Sequence, residues 1–213
     1  MAYRQTPAIE AKLQDNKTRI LKAARALVSE GGWQEAQIAN VATTAGIATG
    51  TVYRYFPSKA ELFADVLSRV SQREVDVLTD IAASDASTQE RIHSMVTTFV
   101  IRAMRNPRLA YALIAEPCDK AIDEVRLQYR AAISEVIRGV IEAGQTDKRF
   151  RNDVRADIAA TVIVGGFMEG LIGPLSPLAN TAQMNEADQR VEIETLANQI
   201  AALACSSIAA KAG

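Results

Sequence analysis

Residues 38–61 read IANVATTAGIATGTVYRYFPSKAE, and the spacing within this stretch decides the fold. Ile38, Val41 and Ala42 recur at helical intervals and predict a short helix from about Ile38 to Ala45. Gly46 breaks it, a second short helix follows from Thr49 to Tyr55, and Pro57 stops that one. Two short helices joined by a tight turn at Gly46-Ile47-Ala48 are a helix-turn-helix. Ala42 and Ala45 are small enough for the helices to pack closely, and Ile47, Val52 and Phe56 fill the core beneath.

That packing leaves Thr49, Gly50, Thr51, Tyr53, Arg54 and Tyr55 on the outward side of the second helix. Hydroxyls, two aromatic rings and one cation differ from the usual solvated mixture of Glu and Lys. Such a face suits a polyanion that also carries readable edges. Hydroxyls at a helix start bond phosphate oxygens or base edges, Arg54 can address guanine, and Thr51 a thymine methyl. Tyr55 has a competing reading, packing against the preceding helix. Lys59 stands at the start of the next helix, where Ser58-Lys59-Ala60-Glu61 has the form of a capping box.

Outward from this segment the chain reads as all-α, with about nine helices. A first helix over residues 17–30 carries Ile20, Leu21, Ala24, Leu27 and Val28 on one face, with Gly31-Gly32 as its stop and Trp33 packing the turn. A long helix runs from Ser58 to about Ala83, followed by five more at roughly 87–105, 107–116, 119–144, 153–173 and 186–211, with Asp119 and Asp153 as N-caps. This gives a helix-turn-helix domain over residues 1–60, joined by the long helix to a second helical domain over 61–213. Residues 1–16, with Arg4 and Lys12, read either as a minor-groove arm or as a frayed terminus, the second being preferred.

The segment GIATGTVYRYFPSKAELF resembles the recognition-helix signature of the tetracycline-repressor (TetR) family, and RILKAARALVSEGGW resembles that family's first helix. The resemblance covers about residues 17–67. It implies that Thr49, Thr51, Tyr53, Tyr55 and Lys59 touch double-stranded DNA, with Arg54 at the variable, base-reading position. One departure stands out: where the family caps its second helix with Ser or Thr, this chain has Ala36 and Gln37. The phosphate contact expected there falls to Gln37, a weaker donor.

Charge and composition agree. Residues 1–60 hold eight Lys/Arg against four Asp/Glu, a balance of +4, and the net charge of −1 leaves −5 for the remainder. A basic end on an acidic body presents one end to a polyanion. Helix-turn-helix proteins commonly bind palindromic operators as symmetric dimers. The expected homodimer seam combines Ile193, Leu196, Ile200 and Leu203, at 3-4-3 spacing, with Ile158, Val162 and Gly165 of the preceding helix. The alternative for the last helix is an intramolecular core role.

The resemblance further implies a small-molecule effector held between the helices of about 58–172. Met95, Phe99, Tyr111, Tyr129, Phe167 and Met168 are apolar or aromatic candidates for that site. Glu169 within VIVGGFMEGLIG and Glu116 at the end of LAYALIAEP are carboxylates in apolar sequence. Each must pair, through Arg102, Arg126 or Arg130, or meet a polar ligand group. Repression, with release from DNA on effector binding, is the behaviour the resemblance implies.

Other classes find little support. His93 is the sole histidine, which excludes a histidine-rich metal site, and no phosphate-binding glycine loop, dinucleotide fingerprint or nucleophile elbow is present. No enzyme, cofactor or metal is expected. Cys118 and Cys205, far apart and without a signal peptide ahead of them, read as reduced thiols of a cytoplasmic protein. Residues 158–178 are the most membrane-like, but Glu169, Pro174 and Pro177 interrupt them, so they read as a buried helix and no membrane partner is expected.

Overall fold

The computed structural model describes residues 7–179 and 185–210, and among these every regular element is a helix. In chain order they are α1 (Pro7–Glu35), α2 (Ile38–Ala45), α3 (Thr49–Tyr55), α4 (Lys59–Ala82), α5 (Thr88–Met104), α6 (Pro107–Ile114), α7 (Lys120–Thr146), α8 (Ala156–Leu175) and α9 (Glu186–Ile208).

The first helix departs from expectation at its start. It begins at Pro7 rather than near residue 17, so residues 7–16 are not a frayed terminus. Proline suits a first helical position because its φ is preset and no amide partner is needed there. Ala11, Lys12, Leu13 and Gln14 then favour continued helix. Arg4 lies outside the described residues. Gly32 breaks the regular helix, as its position predicts: it takes φ 76° and ψ −164°, and a further short turn beyond the kink reaches Glu35. Only glycine accommodates that angle readily, and the Arg108 guanidinium lies where a Cβ on Gly32 would sit.

The α2–α3 turn follows from its sequence. Gly46 adopts the left-handed conformation (φ 65°, ψ 40°), and the Ile47 amide donates to the Ala42 carbonyl at 3.0 Å, the six-residue closure of a Schellman turn. α4 starts at Ser58, whose hydroxyl accepts from the Glu61 amide at 3.1 Å. The box there is half-formed, since the Glu61 carboxylate accepts from the Ser58 hydroxyl. The complete capping box occurs at Ser87 and Glu90, where the Ser87 amide donates to the Glu90 carboxylate at 2.9 Å. Those hydrogen bonds hold the Glu90 carboxyl below its ordinary pKa. Asp119 flanks α7 without a capping hydrogen bond, and Arg155, not Asp153, precedes α8, while Asp153 is paired with Arg151 at 2.7 Å.

The helices close two apolar cores. The first gathers Ile20, Ala24 and Val28 of α1, Val41 of α2, Val52 of α3 and Leu62, Phe63, Val66 and Leu67 of α4, together with Leu109, Ala112 and Ile122 from α6 and α7. The second joins Leu78, near the end of α4, to α5 through α9. α4 therefore contributes to both cores, packing along α7, while α5 packs along α9. α8 is long and apolar enough to span a bilayer by composition alone, yet Ala160, Ile163, Phe167 and Leu171 bury one side of it in the second core.

Candidate functional site

The helix-turn-helix presents its polar side outward. Val52 is fully buried and anchors α3 from below, while Thr49, Gly50, Tyr53 and Arg54 are exposed and Thr51 is half-buried. The side chains of Thr49, Thr51, Tyr53 and Arg54 have no hydrogen-bond or ion-pair partner among the described residues. Gly50 has open space where a Cβ would stand, so nothing inside the chain requires a glycine there. Glycine within a helix costs about 0.5–1 kcal/mol relative to alanine.

The remaining candidates on this face are differently engaged. Tyr55 turns toward α1 and packs against the first core, its hydroxyl accepting from the Asn16 side chain at 3.3 Å. Lys59 is half-buried, its ammonium 5.8 Å from the centre of the Phe63 ring. Gln37 precedes α2 without capping it, and its amide is turned back to the Gln34 carbonyl.

Where the two cores meet, a partly open cavity of about 260 Å³ lies between α1, α4, α5, α6, α7 and α8. Of the eight effector candidates, Phe99, Tyr129 and Met168 line it. Met95 and Phe167 are buried in the core instead, Phe167 against Phe99 with ring centroids 4.7 Å apart. Tyr111 lies under the Arg108 guanidinium, 6.0 Å from ring centre to cation, because α6 turns Leu109, Ala110, Leu113 and Ile114 to the cavity. Neither carboxylate is where sequence reasoning put it. Glu116 is buried and paired with Arg108 at 2.8 Å, not with Arg102, Arg126 or Arg130. Glu169 is exposed on the outer side of α8, away from the cavity lining. Sequence reasoning missed the arginines: Arg25, Arg102, Arg105, Arg126 and Arg130 all line the cavity, against a single acid, Glu74.

The cavity wall is tied to the helix-turn-helix by α6. The Ala112 carbonyl accepts from the Trp33 indole at 2.9 Å and from Arg126 at 3.2 Å. Arg108 donates to the Gly31 carbonyl at 2.7 Å, and the Glu116 carboxylate accepts from the Trp33 amide at 3.3 Å. Trp33 also meets Phe63 of α4 edge-on, centroids 5.5 Å apart. One face of α6 thus lines the cavity and the other grips the end of α1.

The dimer candidates fall on two helices. Ile158, Val162 and Gly165 are exposed on α8, with Gly166, Glu169, Gly170 and Gly173 continuing the same outer side. On α9, Leu203 is exposed, whereas Ile193, Leu196 and Ile200 are half-buried. Ile200 lies beside Gly170 of its own chain. The side of α9 turned to α5 is a different stripe, Ala197, Ala201, Cys205 and Ile208.

Residues 20–66 match the family described as bacterial regulatory proteins, tetR family. The match runs from α1 through α2 and α3 into α4. The chain is 40% identical over 101 residues to the HTH-type transcriptional repressor KstR of Mycolicibacterium smegmatis, covering 47% of this chain and 49% of the relative. The match thus spans about half the length of that repressor. Two solved structures share the fold of the whole chain. FadR from Bacillus halodurans superposes with a TM-score of 0.74 at 17% identity, covering 95% of this chain and 97% of the other. FadR from Bacillus subtilis, solved in complex with stearoyl-CoA, gives 0.74 at 18% identity, covering 90% and 98%.

Proposed function

We propose that this chain is a homodimeric transcriptional repressor of the TetR family that binds palindromic operator DNA and leaves it when a small molecule fills the α4–α8 cavity. The carrying observation is the outer face of α3. Thr49, Thr51, Tyr53 and Arg54 stand without partners around a glycine that no internal contact requires. In this reading Arg54 addresses a base edge, and Thr49, Thr51, Tyr53 and Lys59 hold phosphates or sugars. The tilt of Tyr55 toward Asn16 assigns it to bracing α3 against α1. The similarity over 101 residues to KstR, a transcriptional repressor, supports the same reading.

Release follows from connectivity. α4 belongs to both cores, and α6 lines the cavity while holding Gly31 and Trp33. A ligand that fits one position of α6 better than another changes where α1–α3 sit, and so the separation of two recognition helices in a dimer. The shift available is only the ligand's differential affinity for the two positions, typically about 1–3 kcal/mol.

Selection from a random duplex library at fixed salt tests the DNA-binding part. Enrichment of a palindrome is expected. Binding that falls steeply with salt while no sequence is enriched would reduce the interaction to phosphate attraction and overturn the proposal.

A further inference from the structure

The arginines of the cavity carry an inference about what enters it. Five guanidinium groups and one carboxylate line the space, a balance of +4. Two of the five are fully engaged. Arg102 makes a two-pronged pair with Glu74 at 2.7 and 2.8 Å, which raises its pKa further and leaves the one lining acid occupied. Arg126 donates to the carbonyls of Ala112, Leu113 and Glu116 and pairs with Asp123. The other three are not engaged by carboxylates: Arg25 from α1, Arg105 at the end of α5, and Arg130 from α7. Arg130 donates from one terminal nitrogen to the Ile114 carbonyl at 2.9 Å. Its Nε is shut off from solvent with no acceptor among the described residues. A buried donor without an acceptor is uncommon and unfavourable, the more so on a charged group.

Much of the remaining lining is apolar: Phe99, Ile133 and Met168 line the same cavity, beside the neutral polar groups of Ser71, Asn106 and Tyr129. A cationic ligand would meet three uncompensated positive charges and only a carboxylate already held by Arg102. A purely apolar ligand would displace water from guanidinium groups and return no hydrogen bond.

Resting on the repressor reading above, we propose that the effector is an amphiphilic anion, with an apolar chain against Phe99, Ile133 and Met168 and a carboxylate or phosphate head on Arg25, Arg105 and Arg130. The anion supplies the acceptor that Arg130 lacks. Because Arg25 lies on α1 and Arg130 on α7, one head group bridges the two ends of the molecule that α6 already connects.

Calorimetric titration of the full-length protein with four probes tests this: decanoate, decanoyl-coenzyme A, coenzyme A alone and decan-1-ol. Saturable binding is expected for decanoate or for decanoyl-coenzyme A, and the better of them identifies a carboxylate or a phosphorylated carrier as the source of charge. Arg130→Met should weaken that binding at least about tenfold, as loss of a charge-assisted hydrogen bond does. Arg105→Gln, which alters an exposed side chain, should weaken it severalfold and serves if the Arg130 variant does not fold. The proposal is overturned if decan-1-ol binds as tightly as the better anion, if coenzyme A alone binds as tightly as its thioester, if neither anion binds, or if neither substitution changes affinity. Operator binding by the same samples separates the two readings. Specific DNA binding without anion binding removes only the effector class, whereas anion binding without specific DNA binding removes the repressor and leaves the cavity assignment standing.

Discussion

The outer faces of α3 and α8 are both left uncovered by the chain's own packing, and they could hardly differ more. The α3 face carries hydroxyls, an aromatic ring and a guanidinium around Gly50. The α8 face carries Ile158, Val162 and a row of glycines, with Glu169 as its one charge. Water solvates the first readily, and a polar, charged surface can replace that water. The second gains by meeting another apolar surface, and its glycines permit close helix approach. In the proposed function the labour divides along this difference: one face for nucleic acid, the other for a second copy of the chain.

Replacing Val162 on the apolar face should break this division most severely. Val162→Arg should weaken self-association at least about a hundredfold, from two buried, unmatched charges per dimer. Sedimentation velocity should show monomers, and operator affinity should fall with it. Unchanged association would place the dimer contact elsewhere. On the other face, Arg54→Ala should cost about 1–3 kcal/mol of base discrimination at one symmetric operator position. A specificity profile identical to the wild type would remove Arg54 from base reading.

Gly50→Ala sharpens the contrast because it should act in opposite directions. With open space for the methyl group, the helix should gain about 0.5–1 kcal/mol of stability. DNA affinity should nevertheless drop, as the added carbon holds the duplex away. A higher melting temperature together with undiminished operator binding would mean that Gly50 has no external role. The smallest effect is expected from Glu169→Gln. The side chain lies outside the cavity, so the effector response measured by operator release should not change. A lost response would return Glu169 to the ligand site.

The helix-turn-helix geometry was legible because its determinants are local. Gly46 sets the turn, Pro57 and Ser58 bound the next helix, and the inward residues repeat over only one or two turns. The orientation of α8 was not legible for the opposite reason. Its residues are apolar on nearly every side, so periodicity does not reveal which way Glu169 points. The Glu116–Arg108 pair was missed because it depends on the end of α6, where Ala115 leaves helical geometry and swings Glu116 back beside the helix start. The cavity's charge was missed because Arg25, Arg105 and Arg130 are far apart in sequence and converge only through the packing of α1, α5 and α7. Sequence reasoning found the apolar lining at Phe99, Tyr129 and Met168 but took Met95 and Phe167 with it, since buried and cavity-facing positions share the same helical stripe.

The most direct test of the division between the two faces is the stoichiometry of the chain on its selected operator, measured by mass photometry on the full palindrome and on a single half-site. Two chains should bind the palindrome together, across half-sites one helical turn apart, roughly 34–36 Å or a multiple of it, while the half-site binds far more weakly. One chain per duplex, with the half-site bound as tightly as the palindrome, would contradict the account.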